Sequence, residues 1–572
     1  MSQQRESHWL PKSVIALRHY SFDIFRRDLV AGVTVGLVAL PLAMAFAIAS
    51  GLSPQQGIYC AVVTGFIISA LGGSMVQIGG PTGAFVVVVS GIVAQYGVVG
   101  LYICTAMAGV MLILMGLTGT GTAVKFIPRP IVIGFTNGIA LLIASTQIRD
   151  FLGVTIPSNP SSLIDRLVMI GHHLGTMAPA PLTLVIASLA TILLVNRYMK
   201  GVPGTIVALV LGTAAAWMFH LPVETIGSRF GGVPSGLPHV QIPPIEPALL
   251  LKLISPALTV AMLGAIESLM SAVVADRMTG DRHNPNVELI AQGVANVVSP
   301  LFGGLPATGA IARTATNVRS GARTPVAGII HALTLVVILL VGAPLAAHIP
   351  LAVLAAILMI VAANMGEWGE ILPLLRQTYM DRAVWAVTLF LTVFADLTVA
   401  VEVGMILAAL LFIRKVSATT TVSRVTDEYL RESRAHVMQD KPIPDDMAIF
   451  RIHGPFLFGA TDQLNSVRDH LDSLPAIVAF RLRNMTALDA TGLRALEDVA
   501  DVLTKSGRHA LFCGAREQPA ELMKRSGFGA HVGAENLCPH LDAALIRAAE
   551  IRARRTPAKG SPTDTPRAEE TG

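Results

Sequence analysis

The sequence predicts a polytopic α-helical membrane protein, with about fourteen transmembrane segments in a seven-plus-seven inverted repeat and a C-terminal cytoplasmic α/β domain. Three observations predict it. Hydrophobic residues make up 53% of the 572-residue chain and charged residues only 14%, which leaves too little polar surface to cover a soluble core of that size. The charges are unevenly spread, crowding into the first 28 residues, the short gaps between apolar runs and the region after Arg414. A Gly/Pro-interrupted phrase also recurs in two segments about 225 residues apart.

The N-terminus, 1–27, carries Arg5, Lys12, Arg18, Asp23, Arg26 and Arg27 ahead of any apolar run. That is too charged for a cleaved secretory signal, so the run from Leu29 reads as the first retained span. A membrane body over 28–415 follows. A straight span needs about 20 apolar residues, and runs approaching that length begin near Leu29, Pro54, Val98, Pro130, Pro181, Val202, Leu253, Pro325, Ile349, Arg382 and Val399. Three shorter segments, Pro81 to Gln95, Val287 to Ser299 and Thr308 to Val318, complete the count.

Basic residues test that count. With the N-terminus inside, the cytoplasmic gaps hold Lys125 and Arg129, Arg197 and Lys200, Arg277 and Arg282, Arg319 and Arg323, and Arg376 and Arg382. The opposite gaps hold only Arg149, Arg166 and Arg229, with Lys252 at a helix start. Such a bias fixes orientation, with both termini inside and an even number of spans. It also accounts for the net charge of +5 without a nucleic-acid partner.

The outer gap from Leu221 to Leu251 is rich in Pro and Gly and reads as an irregular loop. A polar linker is expected over 416–446. Short β-like runs alternating with amphipathic helices over 447–550 predict an α/β domain, and 551–572 reads as a disordered tail. The four cysteines, Cys60, Cys104, Cys513 and Cys538, lack metal-ligand spacing and read as small core residues, so no metal centre or cofactor is expected.

The recurring phrase is Gly79-Gly80-Pro81-Thr82-Gly83-Ala84 in one half and Gly303-Gly304-Leu305-Pro306-Ala307-Thr308-Gly309-Ala310 in the other. Paired interrupted segments mark the binding site of many carriers. Proline suits a first helical turn, glycine admits close backbone approach, and exposed N–H groups at a helix start bind an anion without a charged side chain. Two half-helices would then point their N-termini at each other near the midplane; the bland alternative is a pair of Gly-rich turns between packed helices. Glu267 stands alone in an apolar run and reads as a proton- or sodium-coupling carboxylate, or as an acid that only hydrogen-bonds between helices. Ser271 lies one turn on, on the same face. Arg313 sits one turn into the second half-helix, where it attracts the anion or forms a structural pair with Glu267. Glu288, Gln292 and Asn296 form a polar stripe that reads as scaffold, and His331 and Glu402 read as packing residues.

These residues resemble the SulP (solute carrier 26) anion-transporter family over nearly the whole chain. The likeness rests on Asp28-Leu-Val-Ala-Gly, Pro41 to Ala47, Gly80-Pro81-Thr82, Ala265-Ile-Glu267-Ser268, Glu288 to Gly293 with Asn296, and Arg313-Thr with Asn317. The block from Pro306 to Asn317 and Ala363-Asn364-Met365 look most like the family's C4-dicarboxylate branch, while Asp276 to His283 is similar to its sodium-dependent bicarbonate carriers. The resemblance implies a mobile core domain against a gate domain, a homodimer, and an anion held near Thr82, Gly83, Ala84, Thr308, Gly309 and Ala310, with Glu267 at the coupling position. Many sulfate carriers of the family have Gln and Tyr where this chain has Leu42 and Phe46, which argues against sulfate. The soluble region resembles a STAS domain, with Asp489-Ala490-Thr491-Gly492 at its signature loop. Thr491 is the one phosphorylation candidate left there, and a plain helix cap is the other reading.

The expectation is therefore a secondary active anion transporter in the bacterial inner membrane, not an enzyme, working by alternating access. Proton-coupled C4-dicarboxylate uptake ranks first, then sodium-coupled bicarbonate, then sulfate. A membrane sensor signalling through the soluble domain and a channel-like conductor are the rival classes. The expected partners are a small inorganic or organic anion, membrane lipid, a second copy of the chain, and a cytoplasmic protein that meets the soluble domain.

Overall fold

Helix boundaries in the structure, a computed structural model, follow from caps, prolines and glycines placed between the apolar runs. The structure describes residues 9–555 apart from 19, 122–127, 157–159, 161, 200–201, 233–235, 243, 245–246, 396, 426–442, 465–466 and 468–469. The expectations placed on Arg5, Lys125 and Lys200, on most of the linker and on the tail beyond 555 lie outside the described residues. So does the Glu402 side chain.

The chain divides into two compact units, 1–408 and 409–572. The first contains α1 (Phe22–Ala49), α2 (Pro54–Leu71), β1 (Gly79–Gly80), α3 (Gly83–Leu117), α4 (Arg129–Leu152) and a short α5 (Leu163–His172). It continues through α6 (Pro179–Tyr198), α7 (Gly204–Met218), α8 (Pro247–Thr279), α9 (Pro285–Val298), β2 (Thr308–Gly309) and α10 (Ile311–Arg319). The last helices are α11 (Val326–Ala346), α12 (Leu351–Met365), α13 (Tyr379–Phe394) and α14 (Leu397–Thr419), which crosses into the second unit.

Gly97 adopts φ 70° and ψ −177°, so α3 is two helices joined at a break, and the expected span boundary between Gln95 and Val98 falls there. Counting α3 as two and leaving out the short α5 gives fourteen membrane segments among the described residues, with the half-helices third and tenth. Among the described residues, eight helices are long and apolar enough to cross a bilayer. One apolar core joins side chains of α1, α3, α8 and α12, with Met44, Phe85, Val260 and Leu354 all nearly inaccessible.

The first span starts earlier than its apolar run suggests. Ser21 caps α1 by accepting from the Ile24 amide, so the helix begins at Phe22 rather than near Asp28. Asp28 is itself fully buried; its carboxylate accepts from the Arg323 and Thr324 amides and the Thr324 hydroxyl, tying α1 to the segment before α11. Likewise α8 begins at Pro247, ahead of the expected Leu253.

The second unit holds a five-stranded sheet ordered β3 (Thr421–Arg424), β4 (Met447–Phe456), β5 (Ile477–Leu488), β6 (His509–Cys513) and β7 (Leu537–Cys538). β3 is antiparallel to β4 and the remaining pairs are parallel. Between the strands run α15 (Ala490–Lys505) and α16 (Glu517–Arg525), and α17 (Leu541–Arg555) closes the unit. In-register Phe450, Phe480 and Phe512 stack with centroids 5.9 and 5.2 Å apart, and Phe528 meets Phe512 edge-on at 5.0 Å. Two expectations are corrected here. The 416–446 linker contains β3, an edge strand too short and polar to stand out, and 551–555 is helical, with Ile551 buried in the core and Arg552 paired with Asp446. That guanidinium holds the Asp446 carboxyl below its ordinary range.

Asp489 caps α15, accepting from the Gly492 amide at 2.7 Å and, through its other oxygen, from the Phe458 amide at 3.0 Å. Asp489→Ala should therefore destabilise the second unit by about 1–2 kcal/mol. Hydrogen exchange on the full chain checks this, with α15 amides expected to exchange roughly tenfold faster.

Candidate functional site

The two half-helix starts are joined by an antiparallel clasp. Gly79 pairs with Gly309 and Gly80 with Thr308, and the Ala310 amide extends the pairing by donating to the Ile78 carbonyl at 2.8 Å. From this clasp the chain enters α3 through Thr82 and α10 through Ala310, both still extended. Unpaired backbone at this depth costs several kcal/mol per group, and side chains supply the partners that the helices cannot. Asn296 donates to the Ala307 carbonyl at 2.8 Å and accepts from its amide at 2.9 Å, capping the incoming strand on both sides. Arg313 donates through Nη2 to the Pro81 carbonyl, crossing from one half of the chain to the other. The Ile78 amide donates to Thr314 Oγ1 at 3.1 Å, and Asn317 Nδ2 donates to the Val76 carbonyl at 2.9 Å.

Behind the clasp the polar stripe acts as scaffold. Glu288 is fully buried, and its carboxylate accepts from the Gly73 amide at 2.8 Å, from Gln292 Nε2 at 2.9 Å and from the Ser268 hydroxyl at 3.4 Å. Gln77 Nε2 donates to Ser268 Oγ at 3.0 Å, so strand, α8 and α9 form one network.

Of the residues expected at the site, Thr82 and Glu267 meet directly: the Thr82 hydroxyl donates to Glu267 Oε2 at 2.9 Å. Thus the acid of α8 sits at the first turn of α3. Ser271 does not meet that carboxylate in the same way; its hydroxyl donates to Thr314 Oγ1 at 3.1 Å. Thr308 donates to the Gly264 carbonyl at 2.8 Å, and Gly309 packs so tightly that a Cβ would lie 1.7 Å from Gln77 Nε2. Ala84 and Ala310 are buried beside the two helix starts. The structural pair between Arg313 and Glu267 is corrected: no such ion pair forms among the described residues, because Arg313 turns its fork to Pro81 and Gly80. His331 is fully buried, in keeping with a packing position.

Gly83 opens α3, and its surroundings were only partly expected. A Cβ there would lie 3.1 Å from Ile143 Cδ1, 3.2 Å from Met365 Sδ and 3.3 Å from Phe46 Cε1. Three helices, α1, α4 and α12, thus bring apolar groups against the helix start. The substitution at Phe46 had flagged one of them. Ile143, Met365, Gln77 and Thr314 had no signal as site residues, although Met365 lies in the Ala363-Asn364-Met365 motif. The arrangement offers an anion backbone N–H groups and helix dipoles, a carboxylate close by, and apolar walls. In the second unit, Thr491 lies on a cavity shared with Thr461, Asp462 and Arg494.

Comparison with known proteins identifies the family and the fold. The model of the sulfate permease family matches residues 25–388, and the STAS domain model matches 438–544. The putative sulfate transporter YvdB of Bacillus subtilis is 39% identical over 525 residues, 91% of this chain and 98% of that protein. The transmembrane domain of a cyanobacterium bicarbonate transporter, BicA, is 34% identical with a TM-score of 0.60, covering 68% of this chain and 98% of that one. Murine Solute Carrier 26 family member A9, an anion transporter solved in the inward-facing state, shares the fold with a TM-score of 0.85 at 18% identity, over 95% of this chain and 94% of that one. The chain belongs to the sulfate permease family: it is a multi-pass membrane protein with the fold of an anion transporter and a C-terminal STAS domain. The dicarboxylate branch suggested by its motifs finds no support in these relatives' names.

Gly80 has φ 154°, and a Cβ on it would lie 2.2 Å from Arg313 Nη1. Gly80→Ala should cost about 1–3 kcal/mol and lower the melting temperature of the purified protein in detergent. Arg313→Ala added to it should recover part of that loss, because the clash is between these two groups.

Proposed function

We propose that this sulfate permease family member is a secondary active carrier that takes up small monovalent carboxylate-type anions, bicarbonate first, by alternating access coupled to sodium. The observation that carries the reading is the Thr82–Glu267 hydrogen bond at 2.9 Å, which puts an acid beside the N-terminus of the substrate-facing half-helix. Anion and cation sites that adjoin in this way stabilise each other, and such mutual stabilisation is the requirement for coupling. The roles proposed are anion contact for Thr82, Gly83, Ala84, Thr308, Gly309, Ala310 and Arg313, and cation contact for Glu267, with Ser271 in support.

The apolar collar of Phe46, Ile143 and Met365 around Gly83 favours a singly charged anion. A dianion such as sulfate loses more hydration on entering apolar walls, and only paired polar groups offset that cost. The relationship to a bicarbonate transporter supports the same choice. The coupling ion follows from the chemistry: bicarbonate carried with a proton is equivalent to CO2 and water, which gains nothing over diffusion. Hydroxyl, carbonyl and carboxylate oxygens are suited to a hard cation instead. Both termini are proposed to lie in the cytoplasm, which the basic-residue bias supports, and the chain to work as a homodimer.

Proteoliposomes test this with labelled bicarbonate, sulfate and succinate under imposed sodium or proton gradients. Bicarbonate should accumulate with the sodium gradient. Succinate accumulating with a proton gradient instead would restore the dicarboxylate reading, and no uptake above empty vesicles would end the carrier reading. Glu267→Gln should abolish gradient-driven accumulation, by at least tenfold, while the protein remains folded and binds anion.

A further inference from the structure

The end of α12 is held in place by side chains from two other helices. Its fifteen residues, Leu351–Met365, rise about 22 Å, short of the roughly 30 Å hydrocarbon layer. Met365 meets Gly83, so α12 ends at the depth where α3 begins. The chain then turns sharply: Gly366 closes the helix, and Glu367 takes the left-handed conformation at φ 33° and ψ 37°. A non-glycine residue in that region is strained and persists only where its surroundings dictate it. The last carbonyls of the helix also need partners that water does not supply inside a bilayer.

Asn137 supplies one. It is buried on α4 and donates through Nδ2 to the carbonyl of Gly366, the residue next to Met365. Its Oδ1 accepts from Trp385 Nε1 of α13 at 3.0 Å, so the amide is held from both ends. Trp368 adds a second hold on α12, donating through Nε1 to the Ala363 carbonyl at 2.8 Å. α4 and α13 approach closely on either side of Asn137. A Cβ on Gly134 would lie 2.7 Å from the Trp385 carbonyl oxygen, and one on Gly138 would lie 2.5 Å from Thr392 Cγ2. One amide therefore joins three helices. Its bond to α12 lies one residue from the thioether that stands 3.2 Å from where a Cβ on Gly83 would sit.

We infer that Asn137 is a positioning residue for the anion site: by holding the end of α12 it sets where Met365 stands against Gly83, and so how tightly the apolar wall closes on a bound anion. The inference rests on the proposed anion contact at Gly83, but the placement of Met365 is read without transport. In the purified full chain carrying 13C-methyl methionine, the Met365 resonance is assigned by its loss in Met365→Leu. Asn137→Ala should shift and narrow that resonance while leaving the resonance of Met44, in the core, unmoved. Trp385→Phe keeps Asn137 and removes only its donor. It should shift the Met365 resonance in the same direction by less, and it carries the test if Asn137→Ala fails to fold. In proteoliposomes Asn137→Ala should lower the preference for bicarbonate over sulfate about fivefold, and Met365→Ala should do likewise. The double variant should do no more than either, because both changes open the same wall, whereas two independent structural defects would multiply. A Met365 resonance that stays put in both Asn137→Ala and Trp385→Phe overturns the inference. So does an unchanged preference in Asn137→Ala, or effects that multiply in the double variant. If the unaltered protein moves none of the anions, the transport reading ends, while the methionine resonance still decides whether Asn137 places Met365.

Discussion

An interrupted backbone inside a hydrocarbon layer must find hydrogen-bond partners without water, and the first unit of this protein is organised around that demand. Two helices begin near its middle, and the segments leading into them run extended. They satisfy each other through the Gly79–Gly309 and Gly80–Thr308 pairing. What that pairing leaves over is taken up by Asn296, Thr314, Asn317 and Arg313. Glu288 and Gln77 in turn hold the neighbouring helices in place. The polar residues of this membrane domain thus form a connected structure whose product is a pair of open helix starts.

On the proposed reading those helix starts supply attraction with little discrimination, since backbone N–H groups donate to most anions alike. Discrimination falls to the side chains around them, which here are apolar at Gly83. Such a division of labour is compatible with one family whose members carry the names of sulfate and bicarbonate transporters.

Much of this was legible in the sequence because the features concerned leave compositional marks. The half-helices announced themselves by a repeated Gly/Pro phrase, the spans by their apolar length, and Glu267 by being charged where charge is costly. The rest was hidden for specific reasons. Ile143 and Met365 are apolar residues in apolar helices, and nothing local distinguishes a wall of the site from lipid-facing or core packing. Arg313 reads as an anion contact or as half of an ion pair, and its carbonyl partner, Pro81, is far away in the chain. β3 is four residues of mixed polarity whose identity as a strand comes only from pairing with β4. In each case the missing information was a long-range neighbour.

The clasp also bears on how the protein is made. Its two strands are separated by some 230 residues, from Gly79 to Gly309. At the usual pace of about 5–20 residues per second, a ribosome needs roughly 10–50 seconds to travel between them. For that interval the first half-helix has been synthesised while the strand that completes it does not yet exist. Its Gly79 and Gly80 backbone groups must be accommodated meanwhile by water, by the insertion machinery or by a shallower position in the membrane. Biogenesis of this fold therefore includes a waiting period for the first repeat, and its final depth in the bilayer is fixed only once the second repeat arrives.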